Sequence, residues 1–313
     1  MPKIDHRNRK IAWKLYDRVV TALEQGGSES LKSGLGTTSV GGVEIPSNRM
    51  GINYAINSPS GDLAQALINV LFARKPKPNQ RLAADLKKRI QRLLKLAGEG
   101  SQNALTIVAR QIHALYVIDR TWTKKHLLLR FDPTDPIAEA AWAGLIASMQ
   151  MPSPALFKEL KLNFLKATAT SSKWTFEGLS HLGDLLILAL NPPSRQRTLI
   201  SSEEARDALR KASPEIRQQA LFFLRSQASQ SRDWKRLIVP FFRNIWPRER
   251  KFQTQETSHT LVMFLEDLGP HFPDGVDLVS AYLVPSANID VLVYQFGKDK
   301  SGGRPSMVPS RGW

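Results

Sequence analysis

The sequence predicts an all-α protein made of degenerate stacked helical hairpins, a HEAT-like array without a fixed repeat. Three observations carry this reading. Apolar residues recur at helical spacing almost throughout residues 55–270. Three segments open with a capping residue followed by proline, at Asp135-Pro136, Ser153-Pro154 and Ser213-Pro214; the side-chain oxygen takes an orphan amide, and proline occupies a position whose amide had no partner. Strand-like alternation is scarce, with one weak instance at Ile289–Phe296 that reads equally well as helix.

Taken in order, a helix spans about Asp5 to Gln25, with Ile11, Leu15, Val19 and Leu23 at fourfold spacing, and Gly26-Gly27 ends it. This gives an N-terminal helical segment, residues 1–27. Residues 28–54 are rich in Gly, Ser and Thr and read as loop or linker. The helical array then occupies residues 55–297, and residues 298–313 form a basic Gly/Pro/Ser-rich tail. Residues 55–62 form a tight corner before a helix at Leu63–Arg74: Pro59 holds Ser58 extended, Gly61 is free to take positive φ, and Ser60 or Asp62 is placed to cap. A further helix starts at Asn79, with Leu82, Leu86, Ile90, Leu93 and Ala97 on one face. Another starts at Ser101, with Leu105, Val108, Ala109, Ile112 and Tyr116 on one face. The segment Leu179–Leu190 is apolar nearly all round and is expected at the centre. Ser201 and Ser202, followed by Glu203 and Glu204, start another helix, and a helix around Trp234 is expected to kink at Pro240. The cap-proline starts show no common period.

Composition narrows the function. Apolar residues are 42% and charged residues 23% of the 313, a globular balance. The absence of cysteine excludes disulfide scaffolds, cysteine nucleophiles and thiolate metal sites, and fits a reducing cytosol. The longest strongly apolar run, Leu182–Leu190, contains Gly183 and Asp184 and is about half a membrane span. The charged start offers no signal core, so a cytoplasmic protein without membrane association is expected. Lys and Arg number 44 against 28 Asp and Glu, a net charge of +16, which points to a polyanionic partner.

Catalytic patterns fail one by one. Gly34-Leu35-Gly36 with Gly41-Gly42 lacks the preceding strand and the Lys-Ser/Thr ending of a phosphate loop. Asp132 with Glu159-Leu160-Lys161 suggests a metal nuclease, but residues two apart on one helix face apart. The six histidines are scattered, and no serine sits in a nucleophile elbow. No catalytic residue, cofactor site or metal site is therefore assigned. The candidate partner or polyanion-binding residues are basic: Arg74, Lys75, Lys77, Arg81, Lys88, Arg92 and Lys95 in a row that also holds Lys87, Arg89 and the single acid Asp85, then Arg243, Arg248, Arg250 and Lys251. A helical wheel puts Arg81, Lys88, Arg92 and Lys95 opposite the leucine stripe, where a solvated outer face is the simpler reading and a row tracking phosphates the functional one.

Several strings occur together in order: Ala55-Ile56-Asn57-Ser58-Pro59-Ser60-Gly61, Asp119-Arg120-Thr121-Trp122-Thr123, Phe131-Asp132-Pro133, Ala141-Trp142-Ala143-Gly144-Leu145, Trp246-Pro247-Arg248-Glu249-Arg250 and Phe272-Pro273-Asp274. This order resembles the helical C-terminal region of bacterial defence-associated sirtuins, antiviral proteins with an N-terminal sirtuin-like NAD-hydrolysing domain. The resemblance covers roughly residues 5–285. It implies a non-catalytic sensing or scaffold module that binds a phage component or a protein such as a sirtuin-like effector enzyme. It also implies a fragment, split product or truncated relative, since the nucleotide-binding α/β unit such an enzyme needs has no counterpart in this chain. A basic helical-repeat protein that binds nucleic acid is the alternative reading.

Overall fold

A helix of twenty residues, α1 (His6–Gln25), opens the computed structural model, which describes residues 6–35, 38–40, 43–45, 51–174, 178–192, 198–228 and 234–284. The segment Ile289–Phe296 and the tail at 298–313 lie outside the described residues. Within these, the protein is all-α apart from one antiparallel hairpin, β1 (Thr38–Val40) with β2 (Val43–Ile45), in the register Thr38 to Ile45. The chain divides into two compact units, residues 1–217 and 218–313.

The first unit is organised around α5 (Gly98–Arg110). Every residue from Asn103 to Ala109 is buried, because α5 lies against both α3 (Pro59–Ala73) and α8 (Ala138–Ala147). A helix enclosed on two sides needs small residues where backbones meet. Gly144 of α8 supplies one: a Cβ there would lie 2.3 Å from the Thr106 carbonyl oxygen and 2.8 Å from the Ala109 Cβ. The Thr106 hydroxyl then donates to the Ala140 carbonyl at 3.1 Å, across the same contact. Beneath it, Trp142 is wholly buried, its indole N–H donating to the Phe131 carbonyl at 3.0 Å and its ring meeting Phe131 edge-on. The sequence places the centre at Leu179–Leu190. The observed helix there, α10 (Leu182–Leu190), keeps Asp184 and Leu185 partly exposed, and it is α5 that is covered all round.

The corner before α3 is built from a neighbouring helix, α2 (Ile52–Ile56). Ser58, not Ser60 or Asp62, caps α3: its hydroxyl accepts from the Gly61 amide at 3.0 Å and donates to the Ala55 carbonyl at 2.9 Å. Pro59 is the first helical residue, so α3 starts four residues earlier than expected and is itself a cap-proline helix. At Asp135-Pro136 the expected start fails, since α8 begins at Ala138 and the Asp135 carboxylate is taken by Arg130 and the Ile137 amide. Gly61 does not use positive φ. It allows close approach instead, since a Cβ there would lie 1.8 Å from the Ala55 carbonyl oxygen. Ser58 and Ser60 are fully buried, and the Asn57 side chain donates to the Asn53 carbonyl at 2.8 Å, so these polar groups are consumed by the corner.

Other boundaries shift for identifiable reasons. The helix expected from Asn79 begins at Ala84, as α4 (Ala84–Leu93). Asn79 and Arg81 both have positive φ, and their amides donate to the Val117 and Ile118 carbonyls at the end of α6 (Ile112–Ile118), so tertiary hydrogen bonds hold this stretch out of the helix. Next follow α7 (Arg120–His126), α9 (Pro154–Thr170) and α11 (Ser202–Lys211). Ser201 caps α11 in a reciprocal box with Glu204. The Ser153 hydroxyl accepts from Leu156 at the start of α9, as its Ser-Pro pair requires.

The helix α12 (Pro214–Ala228) leads into the second unit, which also contains α13 (Gln255–Glu266) and α14 (Phe272–Val279). Around Pro240 the expected kinked α-helix is replaced by two π turns, Trp234–Ile238 and Phe241–Ile245. Proline has no amide to donate, and the wider ladder continues to the Trp246 amide, which donates to the Phe241 carbonyl five residues back at 2.8 Å. Nothing in the packing imposes a HEAT period: helices run from five to twenty residues.

These close approaches make a direct prediction. Gly61→Ala and Gly144→Ala should each cost about 1–3 kcal/mol by forcing backbone apart, whereas Gly34→Ala, whose Cβ would meet only an ordinary contact at 3.5 Å, should stay within about 0.5 kcal/mol in urea unfolding.

Candidate interaction surfaces

The basic row at 74–95 is largely spent inside the fold. Arg74 grips Asp85 with both guanidinium ends, at 3.0 and 2.7 Å. Arg89 does the same to Asp17 of α1, at 2.9 and 2.7 Å, while its guanidinium lies 4.1 Å over the Trp13 ring. Arg92 holds Glu24 at 2.8 and 2.6 Å and also donates to the Thr21 hydroxyl. Two-point arginine–carboxylate pairs fix geometry as well as charge. The cations of α4 therefore strap α1 onto the first unit. Of the residues singled out from the sequence, Arg74 and Arg92 are thus committed to carboxylates. Lys75, Lys77, Arg81, Lys88 and Lys95 are exposed and form no ion pair with a described residue. Arg81 and Lys95 both lie off the helix, so the four-residue basic face drawn on a wheel is broken at its first and last members.

Lys87 pairs with Asp119, at 2.7 Å. Asp119 is 4% exposed and takes three further roles: it caps α7 by accepting from the Trp122 amide at 3.0 Å, it accepts from the Leu82 amide at 2.9 Å, and its own amide continues α6. Burial pushes its carboxyl upward, but the Lys87 ammonium and the two amides outweigh burial and hold it below the usual carboxylate range.

Strapping by its inner face leaves α1 with the opposite surface outward. Tyr16 and Val20 are buried, and the Tyr16 hydroxyl donates to the Leu63 carbonyl. The fourfold stripe noted in the sequence does not face the core: Ile11 is 56%, Leu15 62% and Val19 40% exposed. Lys10, Lys14 and Arg18, one turn apart along one border of that stripe, are exposed and unpaired with any described residue.

In the second unit, Arg243 and Arg248 come together at a cavity of about 710 Å³, with Lys235, Asp274 and Asp277 on its walls. The Arg248 guanidinium donates to the Arg243 carbonyl at 2.7 Å. Arg250 and Lys251 do not line it; Lys251 sits over the Phe252 ring at 4.8 Å. Sequence reasoning missed Asp274 and Asp277 as members of this site, because only the fold brings the π turns and α14 together.

The residues tested for catalysis do not converge. Glu159 is held by Arg120 and Lys124, Lys161 by Glu204, and Asp132 by the Thr134 amide and hydroxyl. His113 bonds to Ser148, with burial lowering its pKa, and His271 stacks on Trp234 at 4.9 Å. Among the described residues, no group of His, Asp or Glu is disposed to hold a metal ion, and no helix is long and apolar enough to cross a membrane.

Comparison with known proteins gives one distant relative to report. The chain is 24% identical over 237 residues to the uncharacterized protein y4cA of Sinorhizobium fredii. That match covers 73% of this chain but 20% of the relative, so the chain spans a fifth of that protein's length. No protein family's profile matches, and no solved structure does.

Two substitutions separate committed from free charge. Asp119→Ala should destabilise the protein by about 2–3 kcal/mol, because it strands two amides and Lys87; Lys88→Glu should change stability by less than about 0.5 kcal/mol. The sign with pH follows from a folded pKa below the unfolded one. Asp119 contributes stability above its unfolded value of about 3.9, and that contribution is lost as pH falls through the folded value. Urea midpoints of wild type and Asp119→Asn should therefore converge toward acid pH.

Proposed function

We propose that this chain is a helical interaction module that recognises a partner protein through the outer face of α1 and performs no chemistry of its own. The observation that carries this reading is the apolar stripe Ile11, Leu15 and Val19, left in water although α1 is pinned by three of its other residues to α4. A monomer gains nothing from exposing a row of large aliphatic side chains on a fixed helix, and such rows commonly mark partner sites. Lys10, Lys14 and Arg18 beside it favour an acidic, amphipathic segment: apolar residues at i, i+3 and i+4 would fill the stripe, and carboxylates would meet the cations. Self-pairing is disfavoured, because two antiparallel copies of α1 would bring their basic borders together. An anionic membrane fits less well, since Trp13, the aromatic residue of α1 suited to an interface, lies under Arg89.

The resemblance to the helical region of defence-associated sirtuins supplies a setting: sensing or scaffolding in bacterial antiphage defence, with a phage protein or an effector enzyme as partner. The internal pairing of Arg74, Lys87, Arg89 and Arg92 weakens the competing nucleic-acid reading, because four cations of the row are already neutralised.

The test is affinity capture from phage-infected bacteria, read by mass spectrometry and by nucleic-acid staining. Wild type and a Lys88→Glu/Lys95→Glu variant should retain the same protein, and Leu15→Asp should lose it while keeping its melting temperature within a few degrees. Recovery of nucleic acid, released by salt and lost in the lysine variant while Leu15→Asp still binds, would replace this reading with the polyanion one.

A further inference from the structure

We infer that the cavity of the second unit is a binding site for a sugar phosphate group, with Lys235, Arg243 and Arg248 on the phosphate and Asp274 and Asp277 on the sugar hydroxyls. This inference is independent of the α1 surface.

The cavity, about 710 Å³, lies within the range of small-molecule sites. Its basic wall comes from the π turns. Lys235, Val239 and Arg243 recur every four residues and line the same space, and Arg248 joins them from the following loop. Single π turns within helices are frequent at functional sites because the widened ladder re-aims side chains. The acidic wall is α14, where Asp274 and Asp277 are three apart and share a face.

Charges of both signs line this one cavity, yet no ion pair joins them among the described residues. All five charged side chains are exposed, the Arg248 guanidinium giving one of its N–H groups to the Arg243 carbonyl. Cations and carboxylates that share a cavity without pairing suit a ligand that is itself divided, anionic at one end and hydrogen-donating at the other. Two guanidinium forks and an ammonium match a phosphate dianion. Carboxylates accept from adjacent hydroxyls, the role acidic residues play toward ribose. The same carboxylates repel the continuous phosphates of a nucleic-acid strand, which argues for a small ligand.

The walls are fixed before anything binds. Besides the bond from Arg248 to the Arg243 carbonyl, the buried Tyr282 hydroxyl donates to the Phe242 carbonyl at 2.7 Å, tying the floor to the π turn. Trp234 is pinned by its parallel stack on His271, and the Gln253 side chain holds the Ala281 carbonyl at 3.0 Å. Such anchoring lowers the ordering cost of binding.

Isothermal titration of the full chain with ribose 5-phosphate, AMP, inorganic phosphate and ribose tests this. Ribose 5-phosphate or AMP should bind at least tenfold more tightly than inorganic phosphate, with the stronger of the two indicating whether the natural ligand is a free sugar phosphate or a nucleotide. Arg243→Ala and Lys235→Ala, at exposed positions, should each weaken that binding at least fivefold with an unchanged melting temperature. Asp277→Asn should weaken sugar phosphate but not inorganic phosphate. Absence of binding at millimolar ligand, equal affinity for phosphate and sugar phosphate, or binding indifferent to Arg243→Ala and Lys235→Ala would each overturn the assignment.

Discussion

The first unit depends on one close approach. Where α5 crosses α8, Gly144 lets the Thr106 carbonyl come nearer than any side chain would allow, and the Thr106 hydroxyl closes the contact on Ala140. From this crossing α5 gains burial on every side, and α3 can pack on its other flank. The corner at Ser58-Pro59 then sets the direction of α3 through the equally tight contact of Gly61 with Ala55. Small residues, more than large apolar ones, decide which helix is central here. Dispersion contacts fade steeply with separation, so a helix enclosed on two sides needs both neighbours at close range.

Charge serves the same architecture. A net charge of +16 invites a search for polyanion sites, yet the densest basic row is used to hold one helix. Three arginines of the 74–95 segment each take a carboxylate with both ends, two of them on α1. The consequence for binding is indirect: by fixing the polar side of α1 inward, these pairs leave its aliphatic stripe outside. An acidic partner segment on that stripe would meet the unpaired Lys10, Lys14 and Arg18, while the interior pairs remain undisturbed.

The all-α class was legible because capping chemistry and helical periodicity are local. Ser153-Pro154 and Ser201 with Glu204 behave as their sequences require. What was not legible depended on partners distant in sequence. Asn79 and Arg81 leave the helix because their amides find the Val117 and Ile118 carbonyls, and no helical wheel contains that information. The stripe of α1 was visible, but periodicity does not say whether a stripe faces a core or solvent; the polar residues Asp17, Thr21 and Glu24, which look solvent-facing in sequence, are drawn inward by arginines some seventy residues away. The strings that carry the family resemblance include structural fixtures as well: Asp119 caps and bridges, the Phe131 carbonyl receives Trp142, and Gly144 makes the α5 crossing. In the second unit, Arg243 and Arg248 were identifiable as basic residues, whereas their site needed the carboxylates of α14.

The orientation of α1 decides between a helix that merely completes the core and one that presents a surface. Because the chain has no cysteine, single cysteines can be introduced on either face and their native-state labelling by a thiol reagent timed. Leu15→Cys should label at close to the rate of an unfolded peptide, and Val20→Cys should be protected by at least a hundredfold in the same folded protein. Comparable protection at both positions, or faster labelling at Val20→Cys, would contradict an outward stripe and remove the basis for partner recognition through α1.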